Sequence, residues 1–69
     1  MERAEKVREK AVEIINESQK PSAVRVAQEL EMAESDVHRC LNVLEKQKKV
    51  NTYTKEVLGA RHRMIGVKR

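Results

Sequence analysis

Sixty-nine residues limit the chain to one domain, spanning 1–69, near the lower size at which a fold stands without a disulfide or a metal. At 39% hydrophobic and 38% charged residues it can fill one thin core but cannot enclose a substrate cavity. The net charge of +4 is unevenly divided: residues 1–36 hold nine acids and six bases, whereas residues 37–69 hold two acids, Glu45 and Glu56, and nine bases. A split from −3 to +7 points to a partner for the basic half, and a polyanion is the first candidate.

The first 18 residues place Ala4, Val7, Ala11, Ile14 and Ile15 at helical spacing among mixed charges, which predicts a scaffold helix over 1–18. The segment SQKPS interrupts it. Pro21 ends the preceding element, and Ser22 is a good N-cap for a second helix, AVRVAQELEM, in which Ala23, Val26, Ala27 and Leu30 share a face. The connection EMAE is short. A third helix then turns Val37, Leu41 and Leu44 inward, with Cys40 beside them. Two helices joined so briefly, the second ending in a basic stretch, form a helix-turn-helix pattern.

After Val50 the periodicity changes from helical to alternating. VNTYTKEV is rich in β-branched residues, LGA marks a turn at Gly59, and RHRMIGV returns as a second strand. The expected fold is therefore α+β, mostly α: a winged helix-turn-helix of three helices plus a C-terminal β-hairpin wing. Its expected core is Ile14, Ile15, Val26, Leu30, Val37, Leu41, Leu44 and Ile65.

Residue chemistry argues against catalysis. The chain has no nucleophile–base pair at suggestive spacing and no glycine-rich phosphate loop. His38 and Cys40 stand two apart on a helix and point to different sides, and His62 stands alone in the last strand. No enzyme activity, metal or cofactor is expected. The single aromatic, Tyr53, argues against a binder that stacks single-stranded bases on exposed rings. One cysteine cannot form an internal disulfide, and no apolar run approaches a membrane span, so the expectation is a soluble cytoplasmic or nuclear domain without a membrane partner.

The informative surface is the outer side of the third helix, read as Ser35, His38, Arg39, Asn42, Lys46 and Lys49. The hairpin adds Arg61 and Arg63. Hydrogen-bonding side chains of moderate reach, with cations beside them, suit a duplex backbone contacted by helix and wing together.

The run SAVRVAQELEMAESDVHRCLNVLEKQKKV resembles, without a gap, the helix-turn-helix of the Zα and Zβ domains, which bind Z-form DNA and RNA. The resemblance implies a winged helix that contacts duplex DNA or RNA without catalysis. It retains the family's helix arginine as Arg39. His38 and Asn42 stand where the family has an Asn and, four residues on, a Tyr; Ser35 stands where it has a Lys, and LGARHRMIG lacks the wing's Pro-Pro pair and Trp. A reading from another class is a protein-interaction winged helix, docking through the acidic first helix or through exposed Val43 and Val57–Leu58.

Overall fold

The computed structural model describes residues 2–68. Three helices, α1 (Glu2–Asn16), α2 (Ala23–Leu30) and α3 (Glu34–Lys46), precede two strands, β1 (Val50–Val57) and β2 (Ala60–Val67). This is the three-helix and hairpin-wing architecture that the sequence predicts.

Each helix is set by one apolar stripe. Ala4, Val7, Ala11 and Ile14 of α1 are buried, as are Ala23, Val26 and Ala27 of α2 and Val37, Cys40, Leu41 and Leu44 of α3. Ser22 caps α2 as expected: its backbone is extended and its Oγ accepts the Arg25 N–H at 3.0 Å. The start of α3 has no equivalent, because Ala33 occupies the cap position; Glu34 and Asp36 in the first turn instead favour the positive end of the helix dipole.

All three helices end in the same way. Gln19, Met32 and Lys49 each donate their N–H to a carbonyl five residues back, on Ile14, Ala27 and Leu44, at 3.2, 2.9 and 3.0 Å. The residue before each donor, Ser18, Glu31 or Lys48, lies in the left-handed region with φ of 62, 55 and 59°. These are Schellman endings made without glycine. The first of them stops α1 at Asn16, two residues earlier than the sequence pattern suggests. The second makes the turn of the helix-turn-helix three residues long, Glu31 to Ala33.

The hairpin pairs Val50 with Val67 through to Val57 with Ala60, leaving a two-residue turn. Leu58 and Gly59 both have positive φ, 51 and 80°, as the tight hairpin turn compatible with strand twist requires. Gly66 leaves space for the Asn51 side chain opposite it; a Cβ there would meet Asn51 Oδ1 at 3.0 Å. The base of the hairpin is anchored along the β2 edge. Ser22 forms an isolated bridge with Met64 and the Ile65 N–H donates to the Pro21 carbonyl at 3.0 Å, while the Lys68 N–H, donating to the Lys49 carbonyl at 3.0 Å, extends the ladder between the two strands by one step. Val50 and Ile65 then close the core over α3.

Of the expected core, Ile14, Val26, Val37, Leu41, Leu44 and Ile65 are fully buried. Ile15 is half-buried, because Ile14 takes the inward position and the next residue is rotated by about 100° from it. Leu30, the last residue of α2, is half-buried at the core's edge. Leu41 is 0% exposed, so Leu41→Ala should lower stability by about 2–5 kcal/mol in chemical denaturation. A change below about 0.5 kcal/mol would show that α3 is rotated from this orientation.

Candidate nucleic-acid interface

The exposed surface of α3 divides into two stripes. His38, Asn42 and Glu45, spaced four and three residues apart, form the stripe beside the hairpin. Ser35, Arg39 and Lys46 form an outer stripe, all three exposed to solvent.

The inner stripe is occupied from within the molecule. Arg63, on β2, extends its guanidinium onto it: Nη2 donates to Asn42 Oδ1 at 3.0 Å and to Glu45 Oε1 at 2.7 Å, and Nη1 lies 3.1 Å from His38 Nδ1. A guanidinium has no acceptor, so the contact with His38 requires that Nδ1 carry no proton. The second Glu45 oxygen accepts the Thr52 hydroxyl at 3.0 Å. One carboxylate therefore holds both strands of the wing to one face of α3. Wing and helix are thus joined through these side chains as well as at the core.

This brace changes the expected site. His38, Asn42 and Arg63 are brought together, but onto one another. Ser35, Arg39 and Lys46 remain open, and Arg61 is exposed further out on the hairpin, opposite Glu56. Lys49 is not on α3. It follows the left-handed Lys48, past the helix end, and its Nζ lies 3.9 Å from Glu5 of α1. The sequence reading missed Glu45 and Thr52, for which no local pattern exists; their role depends on a partner 18 residues away in one case and on the hairpin register in both.

Unpaired cations occur in both halves: among the described residues Arg3, Lys6 and Lys20 of the first half make no ion pair. Arg8, Lys10 and Arg25 of the first half pair with Glu5, Glu13 and Glu29 on their own or a neighbouring helix. In the second half, Arg39, Lys46, Lys48, Lys55, Arg61 and Lys68 make no ion pair among the described residues. An open depression lies where the wing meets the helices, lined by Glu34, His38, Thr54, Arg61, His62 and Arg63.

Other residues with reactive groups are placed structurally. Cys40 is 2% exposed, and burial, with Asp36 nearby, raises its thiol pKa above the ordinary value. That is the opposite of what a nucleophile needs. Among the described residues no group of three or more His, Cys, Asp or Glu side chains could hold a metal ion, and no helix is long and apolar enough to cross a membrane. Val43, read as exposed, is half-buried, whereas Val57 and Leu58 are exposed.

Because Glu45 is partly exposed, its pair with Arg63 should contribute only about 0.5–1 kcal/mol of coupling in a Glu45→Ala/Arg63→Ala double-mutant cycle. The more diagnostic effect is local. Glu45→Ala should speed amide exchange along β1 and β2 while leaving α1 protected, and equal acceleration in α1 would show that the brace is not a separate unit.

Comparison of the chain with protein-family models, with curated proteins and with solved structures returns no match.

Proposed function

We propose that the protein is a non-catalytic nucleic-acid-binding winged-helix module of the cytoplasm or nucleus, which docks on duplex DNA or RNA through the outer stripe of α3 and the wing. The observation that carries this reading is the group of unpaired cations that α3 and the wing bear side by side. Arg39 and Lys46 on α3 and Arg61 on the wing make no internal ion pair, and the Arg63 brace fixes the spacing between the two elements that bear them. Cations held at fixed separation on a helix and a strand suit phosphates on one duplex. Ser35 adds a hydroxyl to the same stripe. In this reading His38, Asn42 and Arg63 position the site rather than touch the ligand, and Lys49 serves at most as a distant charge.

Phosphate contacts predict a specific response. Lys46→Ala should weaken binding to all duplex sequences about equally and reduce the slope of log affinity against log salt by about one unit. Unchanged affinity and slope in a fluorescence-anisotropy titration would remove this face from consideration.

The resemblance to the Zα and Zβ domains suggests a further outcome. A ligand shifts a conformational equilibrium only through its differential affinity for the two states. Where that family places a Tyr against guanine, this chain has Asn42, whose Oδ1 is bound to the wing. Contacts to phosphate alone favour both duplex forms. The protein should therefore leave the circular-dichroism spectrum of an alternating CG duplex largely right-handed at stoichiometric ratio; full inversion would show that His38 and Asn42 recognise the Z form by another route.

A further inference from the structure

One contact in the Arg63 brace exists only in one protonation state. Nη2 of Arg63 donates to Asn42 and Glu45, and Nη1 rests 3.1 Å from His38 Nδ1. Amide and carboxylate oxygens keep their lone pairs across the neutral range, whereas an imidazole nitrogen accepts only while it carries no proton. A guanidinium offers donors alone, so a proton on Nδ1 ends this contact and no other in the brace.

The surroundings of His38 leave it open to that proton. The ring is half-buried and lines the depression between helix and wing. Glu34 of its own helix lines the same depression, as do Thr54 of β1 and Arg61, His62 and Arg63 of β2, while α2 contributes apolar side chains. Of these groups the two imidazoles are the ones whose charge changes between about pH 5 and 8. A proton on Nδ1 sets two N–H donors of like charge against each other, with no acceptor between them. Arg63 remains tethered through Nη2, so the hairpin keeps its attachment to α3.

We propose that His38 makes duplex binding proton-linked, the protonated ring and Arg63 Nη1 together taking a phosphate oxygen that neutral His38 leaves unrecruited. This rests on the duplex reading of α3 and the wing. With His38 neutral, the pair is satisfied internally and a phosphate meets only the cations outside the brace. With His38 protonated, the same face gains one positive charge and two donors in need of an acceptor, which an oxyanion supplies. Affinity therefore rises as pH falls, and by linkage bound duplex favours proton uptake at His38.

The test pairs fluorescence anisotropy on a mixed-sequence DNA duplex with side-chain NMR of the protein alone, each at about pH 8 and about pH 5.5. Affinity should rise roughly fivefold or more toward the acidic end, and the salt slope should steepen by about one unit, the signature of one added phosphate contact. His38→Asn places an acceptor oxygen where Nδ1 stands and removes the titrating group, so it should flatten the pH dependence. His62→Asn should retain it. In the protein alone, nitrogen–proton spectra at the alkaline end should show the His38 proton on Nε2, and the Arg63 side-chain signals should move with the His38 midpoint. Duplex binding that is indifferent to pH, or a pH dependence that survives His38→Asn, would overturn the proposal and leave the duplex reading standing. Arg63 signals that ignore the His38 titration would overturn it as well. Absence of duplex binding at both pH values would remove the duplex reading and this proposal together.

Discussion

Val37, Cys40, Leu41 and Leu44 lie along one side of α3, each no more than 2% exposed, and every other element packs against that helix or against a neighbour that does. In a chain this short no second core exists to hold an element that loses contact with α3. α1 and α2 cover it from the helical side, and Val50 and Ile65 close it from the hairpin. The arrangement also dictates what α3 can offer outward. With four positions committed inward and Asp36 and Val43 half-buried on one flank, the most open surfaces are the stripe facing the wing and the stripe facing solvent.

Those two stripes divide the labour between order and contact. The wing-facing stripe gives its hydrogen-bonding groups to Arg63, so the hairpin, which meets the core only near its base, is also held partway along its length. A two-stranded ribbon is marginal by itself, and a ribbon that swings freely would present its charges over a wide range of positions. The cost is that part of the positive charge on this face is neutralised by Glu45. What remains to attract a polyanion is carried by side chains outside the brace.

The sequence made the elements legible because their causes are local. Apolar spacing, Ser22 before α2 and Gly59 in an alternating stretch locate three helices and a hairpin without reference to anything distant. Ile15, read as core, and Val43, read as exposed, are apolar residues one step off an inward position, and both are half-buried: the edge of an apolar stripe is where a helical wheel errs in either direction. Lys49 continues the helical spacing in sequence but follows a reversal of backbone hand at Lys48, where no glycine announces the helix end. The site was legible as a set of residues and not as an arrangement. His38, Asn42 and Arg63 were identified, yet that they bind one another follows from hairpin register, which a helical wheel does not contain.

The helix endings bear on how this domain tolerates change. Ser18, Glu31 and Lys48 each hold a left-handed backbone that costs a residue with a side chain roughly 1–2 kcal/mol, and all three are exposed. Nothing in the core depends on their side chains. Each is therefore a position where replacement can relieve strain without disturbing packing or the outer face of α3. A small domain has little margin against mutation, and a lineage of this fold exploring new contacts on α3 or the wing would draw on that margin first. Three relaxable turns, whose own side chains lie outside the apolar core, give such a lineage somewhere to recover it.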